Sequence, residues 1–233
     1  MQQLLEQLVN GLTVGSVYAL VALGYTMIFG ILRLINFAHG ELFMLGSYLA
    51  MTLLVSVGMA NLIPSLLMAI VVVFLLAMGM VAVIGVATER IAYRPLRKAS
   101  RLAPVVSALG VSIFLQNAVM LIYGTQYKVY PEGLIPAMSW RIGGVEITLM
   151  RSLILVISLA LMAGLYFFVQ KTRVGMAMRA VALDHNTARL MGINVDRIIL
   201  LVFIIGPALG AAAGILVGLH YRTINFTMGW TYG

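Results

Sequence analysis

The chain of 233 residues contains no cysteine, and charged residues make up only 9% of it. Without cysteine, the protein can form neither disulfides nor thiolate metal sites. Soluble domains carry about 25% charged residues, and disordered chains combine few apolar residues with much charge. Because 62% of the residues are hydrophobic and the mean hydropathy is +1.06, the composition excludes both a water-soluble globule and a disordered chain.

Several sequence motifs that carry chemistry are also missing. The sequence has no G-x-x-x-x-G-K-[ST] motif and therefore lacks the phosphate-binding loop of many ATPases. Its three histidines, His39, His185 and His220, are too far apart in sequence to show the spacing of a metal site. No nucleophile elbow and no paired carboxylates occur. We therefore expect a protein that is not an enzyme and that holds neither a metal nor a cofactor.

The net charge of +8 does not indicate a nucleic-acid partner. The basic residues lie in short segments between apolar stretches, which is the pattern of membrane loops rather than of a basic groove. Ten of the fifteen basic residues lie in segments 89–101 and 171–197. The positive-inside rule places both segments in the cytoplasm, which puts loop 124–150 outside and the junction 32–41 inside.

Long stretches without charge mark the membrane-spanning parts of the chain. A helix needs about 20 residues to cross the hydrocarbon core. The charge-free stretch 42–88 has 47 residues, so it must fold back, and Gly58, Asn61 and Pro64 mark the turn. The sequence predicts an all-α integral membrane protein, a polytopic bundle in which residues 1–233 form one transmembrane domain. Its six predicted spans are 11–31, 42–58, 63–87, 103–123, 151–170 and 198–219.

The six residues 36–41, between the first two spans, combine polar and ionisable groups. Asn36, His39 and Glu41 lie close to apolar segments on both sides, where ionisable groups are costly. One interpretation is a break in a helix that lines a permeation path, as in discontinuous transporter helices, with Gly40 permitting the bend. The other is a short cytoplasmic turn, in which Glu41 favours the positive end of the next helix. The sequence leaves both open.

Glycines recur at every fourth position of the last span, namely at Gly206, Gly210, Gly214 and Gly218. Four residues turn a helix by about 400°, so these glycines form one nearly flat face. Such a face allows another helix to approach closely. The same thin face could also let helices slide past each other during transport.

The segment from Asp184 to Gly192 predicts a short helix within the basic segment 171–197. Asp184 is a good N-cap and Gly192 a good residue to follow the helix. Two helical turns are not stable alone in water, so this helix must pack on the spans or on a partner. It is either a handle for another subunit or an amphipathic connector at the membrane surface. The residues that could contribute to the contact are Leu183, Ala188, Met191 and Ile193.

Five stretches of the sequence resemble the permeases of branched-chain amino acid ABC transporters of the LivH type. They are residues 10–20, 36–41, 89–97, 112–117 and 191–197. The similarity is collinear and runs from about residue 8 to 226. It implies a membrane subunit of an ATP-driven importer in the bacterial cytoplasmic (inner) membrane. The family extends beyond the point where this chain stops, so we expect a chain truncated at its C-terminus, with further spans missing.

The resemblance also implies partners and site residues. Such permeases lie in membrane lipid, pair with a second, homologous permease subunit, work beneath a periplasmic binding protein and are driven by two cytoplasmic ATPases. Asp184, Ala188, Arg189 and Gly192 are then the residues that couple to the ATPases, although only Ala188 and Gly192 match the E-A-A-x-x-x-G pattern of coupling loops.

The substrates implied are branched-chain, hydrophobic amino acids, and Asn36, His39 and Glu41 are candidates for the polar groups on their path. Three alternatives stay open. The first is a urea or short-amide permease of the same family, and the second is a membrane scaffold or assembly factor. The third is a stand-alone secondary carrier or channel, which is disfavoured because the predicted spans contain no carboxylate for a proton relay.

Overall fold

The computed structural model describes residues 2–62, 66–97, 99–100, 102–131, 139–142 and 145–232. The α-helices of these residues are α1 (Gln2–Leu32), α2 (His39–Met51), α3 (Met59–Leu62), α4 (Leu66–Thr88), α5 (Leu102–Tyr123), α6 (Leu149–Lys171), α7 (Arg173–Leu183), α8 (His185–Leu190), α9 (Val195–Tyr221) and α10 (Met228–Tyr232). A π-helical turn, Thr52–Ser56, continues α2. Another, Glu89–Tyr93, continues α4 and is followed by the 3₁₀ turn Arg94–Leu96.

Two short antiparallel ladders complete the described secondary structure. Strand β1 (Lys128–Val129) pairs antiparallel with β4 (Thr223–Ile224), and β2 (Ser139–Ile142) pairs antiparallel with β3 (Val145–Thr148). All four strands lie between or after spans, so the membrane-embedded part is helical. The predicted fold class, an all-α polytopic membrane protein, is confirmed.

Each of the six predicted spans corresponds to a helical segment, but one of them differs from the others in length and composition. Among the described residues, five helices are long and apolar enough to cross a membrane: α1, α4 with its extension to Leu96, α5, α6 and α9. The predicted span 42–58 corresponds to α2 and its π-helical turn, which is shorter and begins with the polar residues His39 and Glu41. Ten of the thirteen residues of α2 are buried. A helix enclosed by other helices needs neither the length nor the composition of one that faces lipid.

The reversal predicted inside residues 42–88 lies at Gly58. This glycine has a φ of +71°, a conformation that favours glycine, and it separates the π-helical turn from α3. Asn61 lies in α3, and Pro64 falls outside the described residues.

Helix α9 is the centre of the bundle, and it packs against α1, α2 and α4. In an apolar stretch of 18 residues in α9, 72% of the residues are buried, whereas in an apolar stretch of the same length in α6 only 11% are buried. Both helices are apolar on all sides, so hydropathy alone does not separate a central helix from a peripheral one. The glycine and alanine content of α9 does, because small residues let neighbouring backbones come close.

The two basic segments predicted to be cytoplasmic meet at one end of the bundle. Arg97 forms ion pairs with Glu89 and with Asp196, the latter at 2.6 Å between Nη1 and Oδ1. Asp196 is in the first turn of α9, so this contact ties segment 89–97 to segment 171–197. The opposite end carries the β1–β4 pair. The structure thus agrees with the predicted parity of the loops, and the end that carries Arg97 is called the predicted cytoplasmic end below.

Candidate translocation site and coupling helix

The helical path is interrupted between α1 and α2, and this helix break lies inside the bundle. Arg33 ends α1 with a φ of +53°, and residues 33–38 then lead the chain back between the helices. His39, the first residue of α2, donates from Nε2 to the carbonyl oxygen of Val21 at 3.2 Å. Val21 is eleven residues before the end of α1, which is about 16 Å along a helix. The placement favours a helix break over a turn at the membrane surface.

The contact of His39 with α9 indicates the same depth for the helix break. A Cβ on Gly210 would stand 3.1 Å from Cε1 of His39, so the two residues are in contact. Gly210 is fifteen residues after Val195, or about 22 Å along α9, whose 27 residues span about 40 Å. His39 therefore lies near the middle of the central helix α9.

His39 fills the space that two glycines leave open. Its side chain is fully buried. A Cβ on Gly24 of α1 would stand 2.8 Å from Cε1 of His39, and Gly210 of α9 flanks the same ring. Nδ1 of His39 has no hydrogen-bond partner among the described residues. The ring thus packs α2 between α1 and α9, and it does not line a cavity.

Glu41, two residues after His39, is buried and only partly paired. Its Oε1 accepts a hydrogen bond from Oγ of Ser112 at 3.2 Å. Oε2 has no partner in the part of the chain that the structure describes. The residue is 1% exposed, yet it lines a cavity of about 550 Å³ between α1, segment 35–37 and α10. A half-paired carboxylate at this depth is costly unless a ligand or a proton completes it.

Asn36 fixes the geometry of the break. Its Oδ1 accepts hydrogen bonds from the backbone N–H of Ala38 at 3.1 Å and from the hydroxyl of Tyr93 at 2.6 Å. Its Nδ2 is buried, without a partner among the described residues, and the residue lines the same cavity as Glu41. The amide oxygen of Asn36 therefore holds the backbone in place, and its amide nitrogen is left as a hydrogen-bond donor.

Gly40, the fourth predicted residue, lies against Gly229 of α10, in the chain that follows α9. The carbonyl oxygen of Gly40 is 2.7 Å from the position that a Cβ on Gly229 of α10 would take. The same Cβ would be 2.6 Å from Oε2 of Glu41. The backbone of α10 thus closes one side of the Glu41 cavity.

The glycine stripe of α9 faces α1 at one end and α2 along the rest of its length. In order, Gly206, Gly210, Gly214 and Gly218 oppose Gly24 with Ile28, His39, Phe43, and Ser47 with Ile224. The partners on α2 are themselves four residues apart, so one stripe packs on another. A Cβ on Gly214 would overlap the carbonyl oxygen of Phe43. Ser47 donates from Oγ to the carbonyl oxygen of Gly214 at 2.5 Å and adds a polar contact at the closest point.

Helix α8 occupies the segment between Asp184 and Gly192. Oδ1 of Asp184 accepts from the backbone N–H of Thr187 at 2.6 Å, and this hydrogen bond holds the pKa of Asp184 below its ordinary value. Gly192 has a φ of +81°, and its N–H donates to the carbonyl oxygen of Arg189 at 3.0 Å. Ala188 is the buried residue of the helix and packs with the core at the predicted cytoplasmic end.

Two polar contacts attach α8 to the end of α1, next to the helix break. Nε2 of His185 donates to the carbonyl oxygen of Ile31 at 2.8 Å. Nη2 of Arg33 donates to the carbonyl oxygen of Leu183 at 2.9 Å, at the end of α7. A cation at that end is favourable, since carbonyl groups there lack intrahelical partners.

Exposed apolar residues lie at the two ends of α8. We call Leu183, Leu190 and Met191 the apolar edge; they are 79%, 86% and 78% exposed. Arg189 is also exposed beside them. Of the four residues expected to contribute to a contact, Ala188 faces the bundle and Ile193 is partly buried, whereas Leu183 and Met191 face outward.

Sequence reasoning missed several residues of these sites. Tyr93, Ser112 and Gly229 surround the break from helices far away in sequence, and no local pattern indicates them. His185 and Arg33 are different, because a histidine and an arginine beside helix ends are recognisable as donors to unpaired carbonyl groups.

The fold and the site define a polytopic α-helical membrane protein with a broken helix in its interior. Residues 7–233 match the family model for the permease component of the branched-chain amino acid transport system. The chain belongs to this family, and the resemblance seen in the sequence is confirmed. It is a transport permease subunit, a class of protein that is not itself an enzyme, and a multi-pass protein of the bacterial inner membrane.

Curated relatives cover nearly the whole chain. It is 46% identical to the high-affinity branched-chain amino acid transport system permease protein BraD of Pseudomonas aeruginosa, over 98% of this chain and 75% of the relative. It is 41% identical to the permease protein LivH of Escherichia coli strain K12, over the same shares. A probable LivH of Methanocaldococcus jannaschii is 29% identical over 89% of this chain and 64% of the relative. No solved structure matches the chain.

Proposed function

We propose that this chain carries leucine, isoleucine and valine across the inner membrane as the permease subunit of an ATP-driven importer. The observation that supports this most is the 41–46% identity, over 98% of the chain, to permeases named for high-affinity branched-chain amino acid transport. The architecture suits these substrates, which are zwitterions with apolar side chains. An apolar bundle with a few buried polar groups at mid-depth can receive both parts of such a molecule.

The energy comes from partner subunits in this proposal. The sequence has no phosphate-binding loop, so two cytoplasmic ATPases hydrolyse the ATP, a second permease subunit completes the membrane part, and a periplasmic binding protein delivers the substrate. Helix α8 is the coupling helix that docks on an ATPase. The apolar edge and Arg189 support this role, because exposed apolar residues beside a charge are typical of contact surfaces.

The attachment of α8 supports a route by which a movement of the ATPases would reach the break. His185 joins α8 to the last turn of α1, and the turn at Gly192 joins it to the start of α9. Both α1 and α9 contact His39 at the break. A displacement of α8 therefore acts on α1 and α9, the two helices that enclose the break. Repacking then takes place at the contact between the glycine stripe of α9 and α2. ATP shifts the balance only if it favours one arrangement over the other.

The test is transport by the reconstituted complex in proteoliposomes. The complete complex should import labelled leucine with ATP and the binding protein present, and the same complex without ATPases should import none. Import of urea in place of leucine would replace the substrate class. Uphill leucine transport without the ATPases would show a stand-alone carrier and overturn the coupling role of α8.

A further inference from the structure

Glu41 is a buried carboxylate at the edge of a cleft between α1, segment 35–37 and α10. The residue is 1% exposed, and Oε2 has no hydrogen-bond partner among the residues described. Oε1 accepts one hydrogen bond, from Ser112. A buried carboxylate with one oxygen unpaired is unfavourable, and a proton, a cation or a hydrogen-bond donor from elsewhere would relieve that cost.

The cavity beside Glu41 has the size and lining of a small-molecule site. Its volume of about 550 Å³ is within the range of about 300–1,000 Å³ that is usual for ligand pockets. Among the described residues that line it, Glu41 is the one charged side chain. Its walls are largely aromatic, formed by Tyr18, Tyr25, Phe37, Trp230 and Tyr232.

The cavity lies at mid-depth. The residues of α1 that line it fall between Tyr18 and Thr26, in the middle of a helix that runs from Gln2 to Leu32. A substrate site near the bilayer midplane, at a discontinuous helix, is the arrangement that alternating access requires. The location therefore suits a step on the path of the substrate rather than a surface site.

We propose that Oε2 of Glu41 binds the α-ammonium group of the amino acid during its passage through the membrane. This inference rests on the proposed function and names the part of the chain that recognises the substrate. An ammonium group has three donors and makes charge-assisted hydrogen bonds to a carboxylate. The aromatic walls receive the aliphatic side chain, and the free Nδ2 of Asn36 is a donor for the substrate carboxylate. One charged contact is enough to select the zwitterion without holding it too tightly to leave.

The structure separates the three polar residues of the break. Glu41 and Asn36 line the cavity, whereas His39 is enclosed between Gly24 and Gly210 and does not. His39 is therefore a packing residue, and recognition belongs to the other two.

The first experiment measures leucine uptake by the reconstituted full complex with Glu41→Gln, which keeps the size and removes the charge. Uptake should fall about tenfold or more, as expected for a lost charge-assisted contact, and Glu41→Asp should recover part of it. Glu6→Gln makes the same chemical change on an exposed carboxylate and should leave uptake unchanged. Uptake within twofold of wild type in assembled Glu41→Gln complex would overturn the inference.

The second experiment needs no variant and decides the matter if Glu41→Gln fails to assemble. Dicyclohexylcarbodiimide modifies carboxyl groups in apolar surroundings, and the adduct on Glu41 is measured by mass spectrometry in the wild-type complex. Leucine should slow this labelling, and 4-methylpentanoate, which is leucine without its amino group, should not. Equal labelling with and without leucine would refute the binding site. If the wild-type complex imports no leucine at all, the proposed function fails instead, and the two failures are thereby distinguished.

Discussion

Glycines have opposite roles in two regions of the molecule, the contact between α2 and α9 and the attachment of α8. Gly214 of α9 has no room for a side chain, because the backbone of α2 lies directly against it. Gly192 after α8 has open space around it, and glycine is favoured there by the backbone conformation, with a φ of +81°. The first contact is a tightly packed interior. The second is a surface turn. We expect the stability of the protein to depend on the first contact and the coupling to the ATPases to depend on the second.

The largest expected effect is that of Gly214→Ala. The added Cβ would overlap a backbone carbonyl, which cannot move aside cheaply, so we expect a loss of about 3 kcal/mol or more of stability. Thermal unfolding of the purified protein in detergent measures this. Gly210→Ala should cost less, because its nearest contact is a side-chain atom at 3.1 Å, and Gly210→Leu should disrupt the packing of α9.

A matched control for the packed face is Gly11→Ala in α1. No atom outside its own helix lies within 4 Å of that position, so alanine should leave the protein as stable or make it slightly more stable. Normal stability and transport in the Gly214→Ala protein would show that α2 and α9 do not pack as described.

Next in size is the effect of Gly192→Pro on coupling. Proline fixes φ near −65° and removes the N–H that bonds to Arg189, so the end of α8 should be displaced. The complex should still assemble, while its ATP-driven uptake and the stimulation of its ATPase fall several-fold. Arg189→Glu reverses a charge on the exposed side of α8 and should act in the same direction.

Gly124→Pro is the matched control at the opposite end of the bundle. Gly124 also follows a helix with a positive φ, of +85°, and its N–H donates to the carbonyl oxygen of Met120. Its local cost should be similar, yet ATPase stimulation should not change. Equal loss of stimulation in both variants would mean that α8 has no special part in coupling.

Ser47→Ala should have a moderate effect on the packed interior. It removes the hydrogen bond to the carbonyl oxygen of Gly214, and one such bond contributes about 1 kcal/mol. The unfolding temperature should fall by less than in Gly214→Ala. Ser152→Ala, which removes a long, exposed contact at 3.5 Å, should change little, and a larger effect there than at Ser47 would contradict the assignment.

The smallest effect concerns the pH dependence of α8. The hydrogen bond from Thr187 lowers the pKa of Asp184 below 3.8, so the cap stabilises the folded helix fully above pH 3.8 and loses this effect as the pH falls through the folded-state pKa. Hydrogen exchange of the Thr187 amide should therefore speed up in acid relative to its intrinsic rate. Asp184→Asn keeps an acceptor and should remove the pH dependence; an unchanged pH profile would rule out the carboxylate as the cap.

Much of the fold follows from local patterns in the sequence. Charge-free stretches locate the spans because the cost of a charge in hydrocarbon acts on each residue by itself. The ends of α8 are also local, since Asp184 and Gly192 act on neighbouring backbone groups. The stripe of four glycines predicted a close contact for the same reason, although the periodicity did not name the partner helix.

The depth of the break at residues 33–38 was decided only by the tertiary structure. The same residues suit a surface turn, and they enter the bundle because distant groups receive them: Tyr93 bonds to Asn36 across 57 positions, and Ser112 bonds to Glu41 across 71. Which polar residue faces the cavity and which is enclosed depends on the glycines of other helices. Hydropathy alone determined that the chain is a membrane protein. The packing of α1, α2 and α9 decided where a charged side chain lies beside a cavity within the protein.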